Sequence, residues 1–190
     1  KGVNSLNETV DTLLSYSRFE EVNKCEVNYE SFIRATIDQF CSDHQQRMDK
    51  VTIDYRVLRH PTSEPVQLHL DQMLFRQVLF NILGNAVDAC SEDGLIEVCM
   101  QKLPRQTALA RYGDRTMLSV NETVVETTIS DNGCGIAKEC IDRIFAPFFT
   151  TKREGNGLGL AVAWKITKAH GGEIFVENKA DGKGAIFYLL

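Results

Sequence analysis

At the start of the chain, Val3, Leu6, Val10 and Leu13 step by 3, 4 and 3, a spacing shared by a helix-on-helix seam and an ordinary amphipathic helix. A polar shift over 20–24 then marks a joint. A short strand is predicted over 25–29, where the globular part begins. Phe32, Ile33, Ile37 and Phe40 share one face of a helix predicted over 31–48, and 51–57 alternates apolar with polar as a strand does. His60, Pro61 and Pro65 punctuate a turn before a strand over 66–70. Asp71 is placed to cap a helix running to Cys90, and strands are predicted over 95–102 and 124–130.

Between those two strands, 103–123 is polar, contains Pro104 and Gly113, and shows no sustained period, so it reads as a long hairpin loop or insertion. A short helix over 136–144 and a loop over 145–156 precede a helix over 158–170 that Gly171 stops. Strands over 173–178 and 185–190 close the pattern as a hairpin around Asp181 and Gly182. Helices alternating with strands and ending in a hairpin predict an α/β fold, a two-layer sandwich with helices on one face of a mixed sheet. A doubly wound parallel sheet would need a Gly-rich turn after its first strand, and none is there.

With 43% apolar and 25% charged residues, the 190-residue chain has the balance of a soluble domain that can bury a sizeable core. A net charge of -5 with scattered Lys and Arg gives no footprint for nucleic acid, so none is expected as a partner. The six cysteines form no C-x-x-C pair, which argues against a structural zinc site or a disulfide framework and fits a reducing, cytoplasmic setting. No apolar run approaches the ~20 residues that span a bilayer, and no signal-peptide core is present. The chain opens without Met inside what reads as a helix, as a soluble piece of a longer, membrane-anchored parent would.

Asn81, Asn85 and Asp88 fall at i, i+4 and i+7 of the helix after Asp71, one stripe of it. Asparagine is a poor helix former, so the stripe either lines a polar site, with a carboxamide oxygen for Mg²⁺, or is a satisfied core or solvent face. In DNGCGI at 131–136, Asp131 begins a turn and could accept from an adenine amino group, which guanine would not supply; a type I′ hairpin turn is the alternative. GNGLGL at 155–160 runs into a helix whose N-terminus suits phosphates. Its spacing is neither a dinucleotide fingerprint nor a P-loop. Between the glycine runs, FAPFFTTKREGNG offers Phe145, Phe148 and Phe149 as anchors of a mobile lid, with Thr150, Thr151 and Lys152 toward the phosphates; a core aromatic cluster is the competing reading.

In order and spacing these segments match the N, G1, F and G2 boxes, and the chain resembles the catalytic and ATP-binding domain of two-component sensor histidine kinases, of the superfamily shared with gyrase, mismatch-repair and heat-shock ATPases. The resemblance covers 25–190, and LLSYSRFE at 13–20 is similar to the end of that family's dimerisation and phosphoacceptor hairpin, which would make 1–24 a separate segment. It implies that Asn85 binds Mg²⁺, that Asn81 faces the phosphates, that Asp131 binds the adenine amino group, and that Gly133 and Gly135 shape the adenine pocket. Lys152 is implied as a lid contact to phosphate, with Asn81, Asn85 and Lys152 the catalytic set and Gly157 and Gly159 beside the phosphates. Further nucleotide contacts are expected at Asp88, Ile136, Phe149, Thr151, Gly155, Leu158 and Leu160.

The implied reaction is Mg²⁺-dependent transfer of the ATP γ-phosphoryl group to a histidine on the hairpin, for relay to a response regulator receiver domain, within a homodimeric parent. That acceptor would lie upstream of Lys1, and His44, His60, His69 and His170 have duller readings in helix faces, a turn and a strand end. Two departures stand out: Ala185 follows Gly184 where the family commonly has Thr, and 103–123 is longer than usual. A gyrase- or chaperone-type ATPase would place a Glu general base four residues before the Mg²⁺-binding Asn, where this chain has Asn81. A third reading is a binding or dimerisation module without chemistry.

Overall fold

A computed structural model of the chain describes residues 22–58, 64–113, 123–152 and 155–190. The seam over 3–13, the motif at 13–20 and the turn at His60 and Pro61 lie outside them.

Strand β1 (Cys25–Asn28) pairs antiparallel with β3 (Gln67–Leu70) in a small two-stranded sheet. Asn28 then caps helix α1 (Tyr29–Asp43) by accepting the Ser31 N–H at 3.0 Å, and the helix buries Phe32, Ile33, Ile37 and Phe40, the face expected. The helix expected to reach Met48 is interrupted at His44, whose φ of -120° leaves the helical region, and a single turn α2 (Gln45–Met48) follows.

Strand β2 (Val51–Leu58) lies at one edge of a five-stranded sheet. Asp71 accepts from the Met73 and Leu74 N–H groups, both at 3.1 Å, and so opens α3 (Gln72–Ala89). Strands β4 (Gly94–Pro104), β5 (Thr123–Asp131), β6 (Ile174–Asn178) and β7 (Ala185–Leu189) complete the order β2-β4-β5-β7-β6, with β2 and β4 parallel and the remaining pairs antiparallel. Val98 sits opposite Ile129, Ile129 opposite Phe187 and Phe187 opposite Val176, so one row of apolar side chains crosses four strands. Helices α1, α3 and α6 (Gly159–Ala169) share the core with that row. Val78, Ile82, Ile96 and Ile166 are fully buried there, each large aliphatic contributing about 1.5–3 kcal/mol. The mixed α/β sheet with helices packed on it is the fold expected. No helix among the described residues is long and apolar enough to cross a membrane.

Residues 103–113 depart from the loop expected over 103–123. Helix α4 (Arg105–Tyr112) folds over the opposite face of the sheet, where Ala108 and Tyr112 bury against Leu103 and Val124. The Tyr112 ring meets those of Phe175 and Tyr188 at 5.1 and 5.7 Å between centroids. Only two residues of α4, one turn apart, are buried, too few to produce a period that a sequence window detects. Beneath the helix, Glu126 is 1% exposed and accepts from Arg111 Nη1 at 3.0 Å and from Tyr112 and Gln101, so its buried charge is paired. The helix predicted over 136–144 shortens to a single turn, α5 (Lys138–Ile141), followed by turns.

His170, at the end of α6, places Nε2 2.9 Å from the Asp71 N–H and Nδ1 2.8 Å from the Ile166 carbonyl. Only Nδ1 as donor and Nε2 as acceptor satisfies both contacts, which fixes a neutral imidazole tying the C-terminus of α6 to the start of α3. Burial pushes its pKa below the ordinary value, against a smaller upward pull from the Ile166 carbonyl.

Candidate functional site

Helix α3 is buried along Val78, Leu79, Ile82 and Leu83 and polar along the other side, so its packing decides where its asparagines point. Phe80, Asn81, Gly84, Asn85 and Asp88 form one wall of a cleft of about 720 Å³, within the range of small-molecule sites. Ile144, Phe149, Thr150, Thr151 and Lys152 line it from the connection after α5, and Gly155, Asn156, Gly157, Gly159 and Leu160 from the approach to α6. The three segments singled out separately by their motifs therefore meet around one space.

The amide nitrogen of Asn81 is buried and has no hydrogen-bond partner among the described residues, a group that costs about 1–3 kcal/mol to leave unsatisfied. An anionic oxygen bound in the cleft would satisfy it. Across from it, a Cβ at Gly159 would lie 3.3 Å from Asn81 Oδ1, so a side chain there would crowd the amide. Gly157 has φ +66°, and a Cβ on it would stand 2.5 Å from the Phe148 carbonyl carbon; only glycine lets the two backbones pass. The first turn of α6 follows, with its unbonded N–H groups beside the cleft.

Lys152 Nζ donates to Asn85 Oδ1 and to Asp88 Oδ2, each at 2.6 Å. Arg47, from α2, bonds the other Asp88 oxygen. Lys152 thus rests on the residue expected to bind Mg²⁺. Its own backbone N–H donates to Thr150 Oγ1 at 3.1 Å, which shapes the turn that carries it.

A second group gathers at the end of β5. Asp131 is 2% exposed, and its Oδ1 accepts from the Gly133 N–H at 2.8 Å and the Ala185 N–H at 3.3 Å. Ala185 lacks the hydroxyl that the resemblance leads one to expect, yet its backbone reaches the carboxylate. Gly184 has φ +100°, and a Cβ there would fall 1.9 Å from the Asp131 carbonyl oxygen. Asn132 Oδ1 accepts the Leu95 N–H at 2.8 Å, and the Cys134 N–H donates to Ala89 O at 3.1 Å, so this turn is fastened to the last residue of α3. That point is one helical turn beyond Asn85. Ile136 is held by Asn178, whose Oδ1 accepts its N–H at 2.8 Å and whose Nδ2 donates to its carbonyl at 2.6 Å.

Of the residues expected at the site, Asn81, Asn85, Asp88, Phe149, Thr151, Lys152, Gly155, Gly157, Gly159 and Leu160 line the cleft. Asp131, Gly133, Gly135 and Ile136 are brought to the same end of α3 but do not line that space. Leu158 does not line it either: its side chain is fully buried and its N–H donates to Asn156 Oδ1 at 3.0 Å, which makes it an anchor of the turn. Phe80, Gly84, Ile144 and Asn156 were not anticipated. A helical wheel places Phe80 and Gly84 on the same stripe as Asn81 and Asp88, so the 3.6-residue period would have found them.

Residues 70–190 match a family model described as histidine kinase-, DNA gyrase B-, and HSP90-like ATPase. The sensor histidine kinase ZraS of Salmonella typhimurium is 33% identical over 189 residues, an alignment that takes in 100% of this chain and 36% of ZraS, so the chain spans about a third of that relative's length. The nucleotide-free catalytic domain of histidine kinase ThkA superposes with TM-score 0.64 at 26% identity over 87% of this chain and 93% of that one. ThkA solved in complex with the response regulator protein TrrA gives 0.68 at 25% identity, over 99% and 47% of the two chains.

Proposed function

Because the chain belongs to the histidine kinase-, DNA gyrase B-, and HSP90-like ATPase family, we propose that it is the ATP-binding catalytic part of a sensor histidine kinase, passing the γ-phosphoryl group of ATP to a histidine of a phosphoacceptor hairpin. The observation that carries this reading is the unpartnered, buried Asn81 amide in a cleft walled by glycines and the start of a helix. Such a wall offers hydrogen-bond donors and no bulk, which suits a polyphosphate.

In this reading Asn81 donates to a phosphate oxygen, the first turn of α6 orients the chain of phosphates, and Lys152 adds a positive charge from the lid. Asn85 Oδ1 is the hard neutral ligand for Mg²⁺, which when bound neutralises charge on the β- and γ-phosphates. Asp131 keeps a carboxylate oxygen for the exocyclic amino group of adenine while Gly133 and Ala185 hold the other. Phosphoryl transfer is then mostly a matter of position and charge, supplied by the groups around the cleft.

Hydrolysis is the less supported output. Asn81 carries no base for activating water, and Asp88, the acid lining the cleft among the described residues, is engaged by Arg47 and Lys152. The relatives named above are sensor kinases, and ThkA was solved with a response regulator, which supports a receiver domain as the partner proposed for this protein; a second copy of the parent chain is proposed beside it from the resemblance to the family. Incubating the chain with labelled ATP and a separately made phosphoacceptor hairpin tests the proposal. Label on the hairpin, stable to base and labile to acid, is expected. ATP binding followed only by phosphate release would refute it in favour of an ATPase.

A further inference from the structure

Asn85 and Asp88 do more together than either motif role predicts. Their oxygens Oδ1 and Oδ2 lie 2.6 Å from one and the same nitrogen, Lys152 Nζ, so a carboxamide and a carboxylate three residues apart on α3 converge on a single point of positive charge. Contacts this short are of the charge-assisted kind. Arg47 bonds the remaining Asp88 oxygen and so sets the direction in which Oδ2 points. The point is therefore built from three elements: α3 supplies two oxygens, α2 fixes one of them, and the lid connection supplies the cation.

We propose that Asn85 Oδ1 and Asp88 Oδ2 form one cation subsite, held here by the Lys152 ammonium and taken over by a divalent cation when that cation enters with a nucleotide. The proposal rests on the nucleotide-binding reading above and adds Asp88 as a metal-binding residue to the single ligand expected there. Two hard oxygens, one of them charged, suit Mg²⁺ or Mn²⁺, which attract Asp88 with twice the charge of an ammonium. A divalent cation at this point also repels Lys152 Nζ. Displaced from both oxygens, the lysine keeps its place in the lid and has a phosphate as its next available anion. Its contact with phosphate would therefore follow from metal entry and would not need a separate rearrangement.

Calorimetry with ADP, in EDTA and then in Mn²⁺, together with Mn²⁺ binding followed by electron paramagnetic resonance, tests this on the wild type, Asp88→Asn, Arg47→Met and Lys152→Met. Asp88→Asn should lose about tenfold or more of the affinity gained on adding Mn²⁺, measured against the same variant's ADP affinity in EDTA, the scale of a lost metal-site interaction. Lys152→Met should bind Mn²⁺ without nucleotide more tightly than the wild type, because the internal competitor is gone. Arg47→Met retains both oxygens and should lose less of the Mn²⁺ gain than Asp88→Asn, which separates a metal ligand from a mere anchor of surface charge. An unchanged Mn²⁺ gain in Asp88→Asn, or weaker Mn²⁺ binding in Lys152→Met, would overturn the shared subsite while leaving the nucleotide reading intact. A wild-type chain that binds no ADP in either buffer would overturn both.

Discussion

Asp131→Asn separates what the carboxylate does for the fold from what it does for a base. In the wild type, Oδ1 accepts the Gly133 N–H at 2.8 Å and the Ala185 N–H at 3.3 Å, and a carboxamide oxygen can accept both, more weakly without the charge, so the turn should hold. The other oxygen becomes an NH₂ group. Toward adenine, an acceptor is thus replaced by a donor that faces another donor, and a hydrogen bond to a charged group, worth about 1.5–3 kcal/mol, is lost. At 1.4 kcal/mol per decade this corresponds to roughly 10- to 150-fold weaker ADP binding. Calorimetry in EDTA, where Asn85→Ala has no metal to lose, should rank Asp131→Asn as the more damaging change. It should also narrow the preference for ADP over GDP, since guanine presents an oxygen at the same edge. Unchanged ADP affinity in a variant that melts like the wild type, or the reverse ranking, would refute the assignment of Asp131 to the base.

Gly184→Ala puts a methyl group where the Asp131 carbonyl oxygen now stands, in a left-handed backbone conformation as well, and should destabilise the chain by more than about 3 kcal/mol in urea denaturation. Tyr112→Ala removes a buried ring from the far face of the sheet and should cost about 3–5 kcal/mol by the same measurement while leaving ADP affinity unchanged, because none of its neighbours lines the cleft. His170 is held neutral with its pKa depressed, so the unfolded chain binds the proton more readily than the folded one. Its contribution to stability is complete above the ordinary histidine pKa of about 6.5 and is lost as pH falls through the lower folded value. Urea midpoints taken from pH 7.5 down to 5 should fall for the wild type and fall less for His170→Gln.

What the sequence made legible was set by how local each signal is. The Asp71 cap, the polar stripe on α3 and the glycine run before α6 are fixed by residues within a few positions of one another, and each forms as its pattern implied. The joining of those segments around one cleft was legible only through motif order, since spacing along a chain says nothing of distance across a fold. Helix α4 was missed because its two buried residues, Ala108 and Tyr112, are rewarded by Phe175 and Tyr188, more than 60 residues away. Asn178 was missed for the same reason: its two hydrogen bonds to Ile136 span 42 positions, and an asparagine closing a strand ordinarily signals only a turn. The contact of Lys152 with Asn85 and Asp88 spans more than 60 and carries no periodic trace at all.

The long-range contacts around the cleft share one element. Helix α3 is joined at its start to His170, at its end to the Asp131 turn through Ala89, and along its polar side to the connection after α5 through Lys152. Two asparagines weaken it by several tenths of a kcal/mol each relative to Ala. Seven buried residues on its other side, at about 1.5–3 kcal/mol for each large one, exceed that deficit many times over. The fold can therefore carry polar groups on α3 that its local propensity disfavours, including the Asn81 amide that finds no partner within the described chain. The same core contacts hold that amide still, so a bound phosphate would meet a donor whose ordering cost was met when the chain folded, which is the physical content of preorganisation at this site.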